Sequence, residues 1–138
     1  MIGIVIVTHS HLGAALIEAA EFILGSKPEA TLAVSIDLKE NAEKLRSRIE
    51  SAIRKVRQEQ GVLILTDMFG GTPSNLSYSF LEEGKVEVIS GVNLPILVKA
   101  DSARQEKELS ALAVALEAFG KRSISLASGI LKGNKRGQ

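Results

Sequence analysis

Short apolar runs alternate along the chain with longer stretches in which apolar residues recur every three or four positions. Ile2–Val7 is continuously apolar, as expected of a parallel strand covered on both faces. Leu12, Ala15, Leu16, Ala19 and Ile23 then recur at helical spacing, and Gly25 is a stop signal. Thr31–Ile36 reads as a second strand. Asn41 can cap a helix whose buried stripe is Leu45, Ile49, Ala52, Ile53 and Val56, closed by Gly61. Val62–Leu65 is a third strand that runs into Thr66-Asp67 and then a glycine-rich loop, Met68-Phe69-Gly70-Gly71-Thr72-Pro73-Ser74-Asn75. Thr72 before Pro73 predicts a helix start, a cap followed by the residue favoured in a first turn. That helix carries Leu76, Phe80 and Leu81 and stops near Gly84. Val86–Ile89 is a fourth strand, and Asn93–Ala100 a short helix. Ser102, with Gln105 three positions on, predicts the start of a last long helix with Leu109, Leu112, Ala113 and Leu116 on its apolar stripe.

The end of the chain changes pattern. Ser123–Leu131 sets Ile124, Leu126 and Ile130 against small or polar neighbours, which predicts a half-exposed strand at a sheet edge. Residues 133–138 read as a short, flexible basic tail. The alternation of strands and helices predicts an α/β fold: an open, mostly parallel sheet in the flavodoxin-like order 2-1-3-4, with helices on both faces. Residues 1–132 are expected to form a single domain. In such sheets ligands bind beyond the carboxyl ends of the strands, where strand order reverses.

Composition narrows the chemistry. The chain has 138 residues, which suits one domain with a sizeable core, and a net charge of +1, which gives no general field for nucleic acid. It has no cysteine, so disulfides, thiol catalysis and thiolate-bound metals are excluded together. No apolar run reaches the length of a membrane span. The apolar start lacks a basic leader and a small-residue cleavage site, so it is read as a strand and not a signal peptide.

Both histidines of the chain, His9 and His11, follow the first strand. His9 stands at its carboxyl end and Asp67 at that of the third strand. In the order 2-1-3-4 these strands are neighbours, so the two side chains converge. Neutral imidazole is a nucleophile near pH 7 if its proton sits on the nitrogen that does not attack. A carboxylate fixes that tautomer and steadies the positive charge that develops on the ring. A phosphoryl group suits the surroundings as electrophile, because its transfer depends on positioning and charge stabilisation. Gly70 and Gly71 permit close backbone approach, Thr72 adds a hydroxyl, and Ser10 opens another helix start with free N–H groups. Each feature alone has an ordinary reading as a cap or turn; their joint placement carries the functional one. No nucleotide-binding glycine signature is present. His11 falls in the first turn of a helix, and no further His or Cys completes a transition-metal set, so no metal or cofactor is assigned.

IVIVTHSHLG at the first strand exit, Asn41-Ala42-Glu43, GVLILTDMFGGTPSN (Gly61–Asn75) and EVISGVNLPIL (Glu87–Leu97) together resemble the enzyme IIA component of the mannose-type, sugar-transporting phosphotransferase system. The resemblance implies that His9 accepts a phosphoryl group from the phosphocarrier protein HPr and passes it to a IIB component, with IIC and IID membrane subunits involved indirectly. It places the partnering carboxylate on Asp67 and the hydroxyl of the phosphoryl-binding loop on Thr72. Met68, Phe69, Leu94 and Pro95 are the candidate rim for protein partners. The resemblance also implies a cytoplasmic protein, peripheral to the membrane through its partners, and a homodimer in which the final edge strand is exchanged. Some members continue into a fused IIB domain; here a separate partner is expected. Met68 stands where some members have a small hydroxyl residue. A regulatory phosphoryl acceptor without a transport role, and the phosphocarrier subunit of a dihydroxyacetone kinase, are the alternatives.

Overall fold

The computed structural model describes the backbone of residues 1–135 and the side chains of residues 1–132. The elements are β1 (Gly3–His9), α1 (Leu12–Leu24), β2 (Thr31–Ile36), α2 (Ala42–Val56), β3 (Val62–Thr66), α3 (Thr72–Tyr78), β4 (Val86–Ser90), α4 (Leu94–Ala103), α5 (Leu109–Arg122) and α6 (Ala127–Lys135). The strands form one sheet in the order β2-β1-β3-β4, with every pairing parallel. This is the expected architecture.

The pleat divides the core in two. Ile2, Ile4, Ile6, Leu63 and Leu65 face one side and pack with Ile17 of α1, Leu97 of α4 and Leu112 of α5. Val5, Val7, Val62 and Ile64 face the other, against Leu45, Ile49, Ile53 and Val56 of α2. Residues adjacent in sequence thus serve opposite layers, which explains why β1 and β3 are apolar without alternation. On α2 the five predicted stripe residues are all buried, and the Asn41 side chain accepts from Lys44 N–H at 2.8 Å as the N-cap. Gly25 takes a left-handed conformation at the end of α1, with φ of 83°.

Four local expectations are corrected. The buried face of α1 is Gly13, Ile17 and Ala20, with Leu16 and Leu24 half-buried, while Leu12, Ala15 and Ile23 are exposed. Within this helix only Glu18 and Glu21 are charged, so the apolar pattern leaves its rotation open. Close packing sets it instead: a Cβ at Gly13 would lie 3.2–3.3 Å from Ile6 and Thr8 atoms. α3 is capped by Gly71, and Thr72 is its first residue. Ser102 belongs to α4, and the last long helix begins only at Leu109. Between them Arg104 is drawn inside, 1% exposed, where its guanidinium donates to the carbonyls of Ile2 and Glu29 and to Thr31 Oγ1 and pairs with Asp101. Arg104 itself keeps helical dihedrals as the C-cap of α4, with its N–H on the Ala100 carbonyl, and the helix ends there.

The fourth correction concerns the chain end. Residues 127–131 of the expected edge strand are helical, in α6, which opens with Ile130 N–H donating to Leu126 carbonyl at 3.1 Å. A strand needs a neighbour for its backbone groups, and this segment pairs with none of the four strands. Local helical hydrogen bonds satisfy the backbone instead. Ile124 and Leu126 remain 81% and 76% exposed. Of the expected tail, residues 133–135 close this helix and residues 136–138 lie outside the described residues. Among the described residues no helix is long and apolar enough to cross a membrane.

β1 approaches α2 closely at Gly3, where a Cβ would collide with the Val56 carbonyl. Backbone cannot yield as a side-chain tip can. Gly3→Ala is expected to destabilise the protein by roughly 1–3 kcal/mol, read as a lower urea midpoint at unchanged slope.

Candidate functional site

Parallel pairing of β1 with β3, in the register Val7 to Thr66, carries both chains to the same edge of the sheet. The residues that follow meet there. His9 Nδ1 lies 2.8 Å from Asp67 Oδ2, and the His9 backbone N–H donates to the same oxygen at 2.9 Å. The other carboxylate oxygen accepts from Met68 N–H at 3.0 Å. An ionised carboxylate only accepts, so Nδ1 carries a proton, and in the neutral ring the lone pair is on Nε2. The His9 side chain is 37% exposed and that of Asp67 11%. The orienting group is sheltered and the candidate nucleophile reaches solvent.

Burial by itself raises the Asp67 pKa. The hydrogen bonds from the His9 backbone and ring, the charge on His9 and the Met68 N–H outweigh it and hold the carboxyl below its ordinary value of 3.8. Asp67 is therefore ionised throughout the neutral range.

The glycine loop lies against the exposed side of the imidazole. A Cβ at Gly71 would stand 3.0 Å from His9 Cε1 and 3.6 Å from Nε2. The missing side chain leaves room at the nitrogen with the lone pair. Gly70 has a φ of 86°, a left-handed conformation that glycine adopts without strain. Thr72 follows as the first residue of α3. The structure thus brings His9, Asp67, Gly71 and, through the chain, Gly70 and Thr72 together.

Other candidates are placed differently. Ser10 is exposed, with a φ of 51°, and its N–H donates to the Ile36 carbonyl at 3.3 Å. That donor is not free for a ligand. His11 is the N-cap of α1 without a side-chain cap bond and is exposed. Met68 and Phe69 are exposed beside the site. Leu94 and Pro95 open α4 and line an apolar groove of about 450 Å³ with Ile23, Leu24, Val98 and Phe119. Phe69 lines a different cleft, with Tyr78 and β4.

Two positional features were missed in the sequence. The fully buried Thr8 accepts from Gly13 N–H at 2.8 Å and so ties the start of α1 to β1 beside His9. Thr66, Ser74, Tyr78 and Ser90 form a hydroxyl network behind the loop. The signal was a hydroxyl residue ending each of the apolar strands β3 and β4, which propensity alone reads as an ordinary strand end.

Comparison with known proteins gives the family of the chain. The family described as EIIA-man, PTS system fructose IIA component, matches residues 3–117. The chain is 33% identical over 129 residues to the PTS system fructose-specific EIIA component of Bacillus subtilis, covering 93% of this chain and 88% of that one. It is 37% identical over 118 residues to the mannose-specific EIIAB component of Escherichia coli K12, covering 82% of this chain and 36% of that protein. Among solved structures, phosphotransferase system component EIIA from Streptococcus agalactiae superposes with a TM-score of 0.83 at 25% identity, covering 94% of this chain and 99% of that one.

Because the native pKa of Asp67 is depressed, its ionised form stabilises the fold above the unfolded pKa, and that contribution is lost as pH falls through the folded one. Urea titrations of the protein and of Asp67→Asn should differ most at pH 7 and converge below about pH 4. Gly71→Ala is expected to push the imbalanced imidazole aside, seen as altered His9 ring signals in 1H–15N spectra, at a cost to global stability of about 1 kcal/mol.

Proposed function

Because the chain belongs to the EIIA-man family of phosphotransferase-system components, we propose that His9 carries a phosphoryl group taken from HPr and given to a IIB component, which phosphorylates the incoming sugar. The observation that carries this reading is the 2.8 Å contact of His9 Nδ1 with Asp67, which in the neutral ring puts the lone pair on Nε2 of a side chain 37% exposed. In the accepting step the Nε2 lone pair attacks phosphorus in line. The new N–P bond forms as the donor's N–P bond breaks, and the donor imidazole leaves with the electron pair. His9 becomes positively charged, and Asp67 stabilises that charge without taking the proton. The reverse sequence delivers the group to the acceptor.

Around the phosphoryl oxygens the reading assigns Gly70 and Gly71 as close backbone and Thr72 as hydroxyl donor. Ser10 is left with its hydroxyl, since its N–H is bonded to Ile36. Met68 and Phe69, both exposed in the glycine loop, are proposed as the contact for HPr and IIB, with Leu94 and Pro95, in a separate apolar groove, as a further contact. The protein is proposed to act in the cytoplasm, reaching the membrane only through IIC and IID partners. It is further proposed to be a homodimer, which the exposed Ile124, Leu126, Ile130 and Leu131 support.

Incubation with enzyme I, HPr and phosphoenolpyruvate should add one phosphoryl group by intact mass, stable in alkali and lost in acid. His9→Ala should abolish labelling and His11→Ala should leave it. Labelling retained in His9→Ala would overturn the assignment. Asp67→Asn should slow transfer by about a hundredfold or more; an unchanged rate would remove Asp67 from the mechanism.

A further inference from the structure

Ser90, the last residue of β4, accepts a hydrogen bond from Thr66 Oγ1 at 2.8 Å and lies 3.0 Å from both Ser74 Oγ and Tyr78 OH. A serine hydroxyl offers one donor and two acceptor sites. Three partners use all of them. Thr66 and Ser74 are fully buried, so water cannot take over a lost bond without a rearrangement.

The partners of Ser90 share one property: each belongs to a segment that bounds the glycine loop. Thr66 directly precedes Asp67. Ser74 sits two residues after Thr72 in the first turn of α3. Tyr78 ends α3, and its ring centroid lies 6.1 Å from that of Phe69 in the loop. The Thr66 carbonyl also accepts from the N–H groups of Gly91 and Val92 at 3.0 and 2.9 Å, which ties the exit of β4 to the same point.

The loop itself has few holds. Met68, Phe69 and Gly70 are exposed. Nothing lies within 4 Å of a Cβ built at Gly70. The Asn75 side chain reaches the Gly70 carbonyl only at 3.4 Å. The position of the loop against His9 therefore depends on its two ends, and both are fastened to one hydroxyl.

We propose that Ser90 is a positioning residue for phosphoryl transfer, holding residues 67–74 in register with the His9 imidazole through its three hydroxyl bonds. Ser90 touches no reacting atom. The proposal rests on the carrier reading of His9 and adds a residue to it. Misplacement of a phosphoryl-binding loop by a fraction of an ångström acts on the transition state more than on partner docking. The saturating rate should fall while half-saturation by the donor stays nearly constant.

The test is rapid-quench phosphorylation of the full chain by phosphorylated HPr. Ser90→Ala should lower the saturating rate about tenfold with half-saturation changed by less than about twofold. Ser90→Thr, which keeps the hydroxyl on a strand-compatible side chain, should restore the rate. Ser90→Val, the same shape without the hydroxyl, should not. Tyr78→Phe removes one bond from a half-buried ring, keeps the test available if Ser90→Ala does not fold, and should slow transfer by about threefold. A wild-type saturating rate in folded Ser90→Ala or in Tyr78→Phe overturns the proposal, and so does a Ser90→Val protein as fast as Ser90→Thr. Those results with normal wild-type labelling leave the carrier reading standing. A wild-type protein that takes no phosphoryl group removes both.

Discussion

Two hydrogen bonds from one residue, the ring and the backbone of His9, converge on a single oxygen of Asp67. Here it is made where two parallel strands leave the same edge of a sheet side by side. The pairing of β1 with β3 supplies that placement. The apolar runs that bury both strands on two faces serve the site as directly as they serve stability. A one-residue slip in register would turn each strand's side chains to the other layer and separate the imidazole from its carboxylate.

The rest of the site is arranged around what this contact leaves open. With Nδ1 occupied, reactivity is directed to Nε2, and Gly71 lies beside it. The loop combines two demands that conflict in most sequences. It must come close to the ring, which excludes side chains, and it must hold its place, which ordinarily requires them. Here the holding is displaced to the loop's ends, into hydroxyls that are buried and mutually satisfied.

At the opposite end of the strands the chemistry is different. Arg104 brings a charge into the protein and places it on the carbonyls of Ile2 and Glu29, the Thr31 hydroxyl and Asp101, while its Nε has no partner among the described residues. Burial lowers its pKa, and Asp101 partly offsets that effect. This clamp joins the entries of β1 and β2 to the end of α4.

The sequence by itself determined the four strands, their burial, the stripe of α2 with its Asn41 cap, and the convergence of His9 with Asp67. These depend on local periodicity and on the geometry that any parallel sheet of this order imposes. Tertiary structure decided the rotation of α1, where a nearly all-apolar helix left the buried face open and contact at Gly13 settled it. It also decided the burial of Arg104 at the end of α4, since only the fold shows that its side chain has carbonyls to reach. The hydroxyl network was invisible because Thr66, Ser74, Tyr78 and Ser90 meet only when β3, α3 and β4 are packed. The chain end shows the same rule in reverse. Ile124, Leu126 and Ile130 alternate like a strand, but the segment pairs with none of the chain's four strands and the backbone of 127–135 closes its hydrogen bonds as helix.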